Sequence, residues 1–200
     1  MSKFDMIPMS LGIMGAAVLG AYYMFTTPAQ AQDNPDTPNL VIEVAGSTEG
    51  QIVIDLMPDV APNHVAQVTT LAREGKYDGV VFHRVIESFM AQTGDVEFGR
   101  IGENAGRAGT GGSELPDIAA EFGQTPFNRG TVGMARSASP NSANSQFFIM
   151  FEPAPHLNGQ YTVFGQVVEG QEIVDAIKRG VGGGGVVTDP DYMKSVTVVD

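Results

Sequence analysis

Cysteine is absent from all 200 residues, so the chain has neither a disulfide framework nor a thiolate to act as nucleophile or metal ligand. Cations are scarce. Eleven Lys and Arg stand against 23 Asp and Glu, a formal net charge of -12. Such a surface repels phosphate backbones and anionic headgroups, so no nucleic-acid partner is expected. The three histidines, His64, His83 and His156, show no metal-ligand spacing, and no G-x-S-x-G elbow supplies a hydrolase nucleophile. Neither a metal nor a cofactor is expected. Gly109-Thr110-Gly111-Gly112 lacks the Gly-Lys-Ser/Thr continuation of a phosphate cradle and reads as a flexible loop beside a groove. No internal repeat is visible.

Charge is also missing from one long stretch, Met6 to Gln32, whose apolar heart runs from Leu11 to Phe25. With Lys3 before it and Ala29-Gln30-Ala31 after it, residues 1–31 read as a secretory signal peptide cut after Ala31. An uncleaved anchor is the alternative, since Pro8 to Ser10 could lengthen the span. Membrane association is expected only in that case. Either way the domain lies outside the cytoplasm, in the periplasm or secreted. Residues 32–39, rich in Pro, Asp and Asn, read as a linker, and 40–200 as one core-bearing domain.

Within that domain Leu40 to Val44 and Gln51 to Leu56 alternate in the manner of a β-hairpin. Pro62 opens a helix whose apolar face carries Ala61, Val65, Val68, Leu71 and Ala72, with Gly75 as its stop. His64 lies among polar neighbours and reads as a surface or capping residue. Strand-like runs follow at Ile118 to Phe122, Thr131 to Arg136, Ser145 to Phe151, Thr162 to Val168 and Ser195 to Val199, with a second helix over Gln171 to Arg179. Many short strands and two helices predict an all-β domain: a closed antiparallel barrel with helices over its ends, closure removing the exposed edges.

The run Val80 to Asp95 is mostly apolar, β-branched or aromatic, yet Arg84 and Gln92 interrupt it. Gln146 interrupts a later strand in the same way. Polar residues planted singly in strand sequence point to a groove, with Phe89 and Met90 as its floor. His83 alternates with Arg84 and is expected to face away from it in a structural role.

Phe82-His83-Arg84-Val85-Ile86, Phe89 to Asp95, Gly130 to Ala135, Asn144 to Ile149 and Val163 to Gly170 together closely resemble the cyclophilin-type peptidyl-prolyl isomerases, in the right order and spacing from about Leu40 to Asp200. The resemblance is to bacterial members. It implies a closed eight-stranded antiparallel β-barrel capped by two α-helices, rotation of X-Pro bonds in exported polypeptides, no cofactor and a monomer. By the same resemblance the catalytic arginine is Arg84, and Gln92 bonds the substrate backbone. Phe89, Met90, Phe148 and Leu157 line the proline pocket, while Gly109, Ala135, Arg136, Gln146 and Tyr161 belong to the substrate groove. Arg136 and Tyr161 stand where many eukaryotic members have Asn and His. His156 stands at the position of the tryptophan associated with tight cyclosporin binding, which implies weak affinity for that ligand. The stretch between Asp95 and Gly109 is longer than usual. The other reading of the groove is a non-catalytic proline-peptide-binding module; a cation aimed at the proline nitrogen favours the enzyme, because binding alone does not call for it.

Overall fold

The computed structural model describes residues 37–102 and 106–200; the expected leader and most of the linker lie outside them. Strands β1 (Asn39–Ala45) and β2 (Gly50–Leu56) form the expected hairpin, and β1 starts one residue before the alternation suggests. Helix α1 (Pro62–Arg73) has proline in its first turn and ends at Gly75, whose φ of 65° is the left-handed conformation that terminates a helix without a Cβ penalty. Its buried face includes Val65, Val68, Leu71 and Ala72 and packs against the last strand, β9 (Tyr192–Val199).

Between them come β3 (Val80–Val81), β4 (Arg84–Ile86), β5 (Met90–Thr93), β6 (Thr131–Met134), β7 (Phe147–Met150) and β8 (Val163–Glu169). All pairings are antiparallel, in the order β3-β9-β1-β2-β8-β6-β7-β5-β4. The closed eight-stranded barrel is therefore corrected to a curled, open sheet of nine strands among the described residues. The reason lies at the start of the strand-like run Val80 to Asp95. It breaks at Phe82-His83, so that Val80-Val81 occupies one edge of the sheet and Arg84 to Ile86 the other. Loops rather than strand pairing cover those edges. Val81 N donates to Gly99 O at 2.8 Å and Val85 N to Gly185 O at 2.8 Å.

Two other expectations change. Among the described residues Ile118 to Phe122 makes a single bridge, Ile118 with Ala143, and is held instead by side chains: Ala120 N donates to Asn141 Oδ1 and Glu121 N to Thr162 Oγ1. Helix α2 (Gln171–Ala176) stops short of Arg179 because Ile177 turns extended and Lys178 N donates to the Asp191 carboxylate at 2.8 Å rather than to a helical carbonyl.

Alternation along the strands separates two apolar cores. Phe147 and Ile149 of β7, Ala91 of β5 and Val85 of β4 join Leu40, Ile42, Ile54 and Phe164 in the interior of the curl. Phe148, Met150 and Met90 point the opposite way and form a smaller cluster with Phe127, Leu157 and Val163. That second face carries the groove.

Candidate active site

Strand register lays the groove out in a line. Arg84 on β4 is opposite Gln92 on β5, Gln92 is opposite Phe148 on β7, and Phe148 is opposite Gly133 on β6. One position in each strand thus falls on the same face, with Ile86, Met90 and Met150 forming the next row. Gly133 must be glycine. A Cβ there would sit 2.5 Å from the Phe127 ring and 2.6 Å from that of Phe148, which occupy its place.

A hollow of about 190 Å³ opens over this row, lined by Arg84, Phe89, Met90, Gln92, Ala135, Arg136, Phe148, Leu157 and Tyr161. Beside it lies a more polar recess of about 490 Å³, to which Gly109 and Gln146 contribute together with Gln92 and Arg136. Every residue the sequence nominated is therefore on one surface. Phe148 forms the floor, stacked on Phe127 at 5.7 Å and met edge-on by Tyr161 at 5.8 Å. Phe89 reaches the rim from a tight turn in which Ser88 takes a φ of 58°, and His156 stacks on it at 5.8 Å. The 3₁₀ turn Pro155–Leu157 supplies Leu157 to the wall.

The polar edge is a relay of hydrogen bonds. Arg84 Nη1 donates to Gln92 Oε1 at 3.1 Å, Gln92 Nε2 to Gln146 Oε1 at 3.0 Å, and Gln146 Nε2 to Gly111 O at 2.8 Å. Arg84 Nε is held by Gly184 O at 3.2 Å, and its Nη2 has no partner among the described residues. No carboxylate among the described residues pairs with this guanidinium. Arg136 is engaged differently. It clasps Gln160 O and Ser137 O and lies 4.5 Å over the Tyr161 ring, so it braces the wall.

Several organising residues carried no role in the sequence reading. Buried Asp95 accepts from Glu97 N and Phe98 N on Oδ1, and from Gly109 N and Gly111 N on Oδ2, which shapes the glycine loop. Its position directly after Thr93-Gly94, at the end of β5, was the only available signal. Asn144 does the same for the loop's far end, accepting from Ser113 N at 2.6 Å. Tyr77, whose hydroxyl donates to Ser145 O at 2.9 Å, is buried deeply enough that its pKa is pushed up. His64 is corrected: it is fully buried, with Nδ1 2.5 Å from Glu121 Oε2. Burial alone would raise the Glu121 pKa, but hydrogen bonds from His64 and Asn63 outweigh it and hold that carboxyl below its usual range. His83 is buried and turned away from the groove row, as its alternation with Arg84 predicts. Among the described residues no cluster of three or more His, Asp or Glu is placed to hold a metal ion.

The sequence profile described as "Cyclophilin type peptidyl-prolyl cis-trans isomerase/CLD" matches residues 40–198. This chain belongs to the cyclophilin-type peptidyl-prolyl cis-trans isomerases. A probable peptidyl-prolyl cis-trans isomerase of Brucella suis is 59% identical over 153 residues, which cover 75% of this chain and 78% of that protein. A peptidyl-prolyl cis-trans isomerase of Schizosaccharomyces pombe is 42% identical over 127 residues, covering 62% and 76%. Among solved structures, a cyclophilin from Hirschia baltica superposes with a TM-score of 0.67 at 26% identity, covering 82% of this chain and 74% of that one. A Cryptosporidium parvum cyclophilin crystallised in the presence of the dipeptide Ala-Pro gives 0.69 at 24% identity, covering 81% and 99%, a likeness of fold.

Proposed function

We propose that this cyclophilin turns X-Pro bonds by gripping the half-rotated amide between Arg84 and the Phe148 floor. The barrier to that rotation, roughly 18–20 kcal/mol, is lost amide resonance. No bond must break, so neither nucleophile nor metal is required. When resonance is lost the proline nitrogen regains a lone pair, and a donor placed there binds the twisted state far better than either planar isomer. The observation that carries this assignment is the Arg84 guanidinium, which two hydrogen bonds fix at the edge of the hollow while its Nη2 stays uncommitted among the described residues. The hollow accepts the proline ring, and Gln92 holds the adjoining peptide group. The Ala-Pro present with the Cryptosporidium protein supports a proline-containing peptide as the occupant. The assay is isomerisation of a proline peptide by the full chain, with Arg84→Ala beside it. Equal rates from the two proteins would remove Arg84 from the mechanism.

The clients we assign are exported polypeptides, on which uncatalysed isomerisation takes tens to hundreds of seconds and can limit folding. Support for an address outside the cytoplasm, in periplasm or medium, comes from the charge-free run Met6 to Gln32 and its Ala29-Gln30-Ala31 ending, the layout of an export leader. Residues 40–200 then act as a monomeric catalytic unit beyond a cleaved leader. Mass measurement of the amino terminus tests this: a mature chain that still begins near Met1 and fractionates with cytosol would end the export reading.

A further inference from the structure

Arg84 and Gln92 have a second side. Behind them, away from the proline hollow, opens a cavity of about 870 Å³ between the loop that follows Asp95 and the loop preceding β9. Its size is that of a ligand site rather than a packing gap. Much of its lining is apolar, including Val81, Phe98, Val187 and Tyr192, and its rim exposes Ile101 and Val186 at 50% and 65% of their surface. Large apolar side chains left in water around a concavity mark a place where something binds.

Two further observations describe the lining. His83 faces this cavity with only 8% of its surface exposed, and neither ring nitrogen has a hydrogen-bond partner among the described residues. Both nitrogens lie beneath the cavity surface, so the ring belongs to the wall and is not itself a contact for the occupant. Charge is the second. The chain as a whole is strongly acidic, yet among the described residues the cavity is lined by Arg84, Arg100 and Lys178 against a single carboxylate, Asp189. Among the described residues none of these three cations is in an ion pair; each is held by carbonyl or amide oxygens. Unpaired cations around an apolar concavity focus a positive potential there.

We infer that this cavity is a second subsite for the polypeptide being isomerised, taking a large apolar side chain near the proline together with a neighbouring carboxylate. The inference rests on the isomerase reading of the groove, because continuity with the proline hollow is what selects the occupant. Arg84 and Gln92 line both, so a chain whose proline sits on Phe148 passes the mouth of the cavity as it leaves the groove. The apolar side chain packs on the apolar part of the lining, and the carboxylate pairs with Lys178, whose Nζ donates to Asp189 O at 3.0 Å within the same lining.

The test uses the full chain and a short peptide, Ala-Ala-Pro-Ala, extended on either side by Phe-Glu, Phe-Gln or Ala-Ala, with kcat/KM measured by exchange NMR. On one side Phe-Glu is expected to raise kcat/KM roughly tenfold over Ala-Ala, the scale of one apolar group entering a pocket. Phe-Gln should recover part of that gain, and added salt should erase the difference between Glu and Gln. Lys178→Glu should reverse the preference for Glu, and Thr188→Trp, which narrows the mouth, should bring the ratio of extended to short peptide rates toward one. If the short peptide is turned over and neither extension changes the rate, the subsite is refuted while the isomerase stands. If no peptide is turned over, the isomerase reading fails and takes the subsite with it.

Discussion

Arg84 and Gln92 face each other across the β4–β5 ladder, and the guanidinium donates to the amide oxygen at 3.1 Å. The pair is the first link of a relay that continues through Gln146 to the Gly111 carbonyl, so the cation and the glycine loop on the far side of the groove are set by one network.

Replacing Arg84 with Ala removes the donor to the twisted amide. A charge-assisted bond contributes about 1.5–3 kcal/mol, so kcat/KM should fall by roughly ten- to a hundredfold with the fold intact. Arg84→Lys should fare little better, because an ammonium cannot hold Gly184 O and Gln92 while also presenting a free donor. Exchange NMR gives the rate and far-UV circular dichroism checks the fold.

Gly133→Ala pushes a methyl into space taken by Phe127 and Phe148. Overpacking of that kind costs about 1–3 kcal/mol. Since Phe148 is the floor of the hollow, KM for proline peptides should rise in parallel, and chemical denaturation alongside steady-state kinetics shows both effects. A variant with wild-type stability and KM would mean that the floor is not the bound surface.

Asp95→Asn turns one acceptor oxygen into a donor facing two backbone N–H groups. Whichever pair loses its acceptor, stability should fall by about 1–3 kcal/mol. If the Gly109 and Gly111 amides are the pair released, the loop loosens, and KM should climb while kcat changes little, because Asp95 shapes the groove without touching the turning bond. A fall in kcat at unchanged KM would contradict that positioning role.

His83 makes stability depend on pH in a defined window. Burial lowers its pKa to about 4, with nearby Asp95 opposing and Arg84 adding to the effect. The unfolded chain binds that proton near pH 6.5, so stability is unaffected by this group above about 6.5 and declines as pH falls from there to about 4, by on the order of 3 kcal/mol in all. Glu121 and Asp191 act lower: their pKa values are depressed because backbone and side-chain donors overcome burial, so their contributions are lost only as pH falls below the ordinary carboxylate range. Urea unfolding at pH 7.5, 6 and 5 should show a steeper loss in the wild type than in His83→Gln.

Cyclosporin should bind weakly, above the nanomolar range. His156 stacks on Phe89 at the rim without the area of an indole. His156→Trp should tighten binding by roughly tenfold or more, as buried tryptophans at contact surfaces do, and calorimetric titration measures it. No gain would place the determinant elsewhere, with Arg136 and Tyr161 the next candidates.

Period-two patterning, the proline that opens α1 and the glycine that closes it are local signals, and they determined the hairpin, the first helix and the alternation that sends Arg84, Gln92 and Phe148 to one face. Arg84, Gln92 and Gln146 announced a groove because single polar residues inside strand patterns conflict with burial, while the rest of its lining was named through the resemblance to the family. What tertiary structure decided are relations between distant segments. The break at Phe82-His83 opens the sheet because loops beyond 98 and 180 compete for its edges. Buried His64 finds Glu121 some 57 residues away, Arg84 is steadied by Gly184 across 100 residues, and Asp95 gathers amides on both sides of a loop. A one-dimensional pattern records what each residue prefers, and only the folded chain records which partner satisfies it.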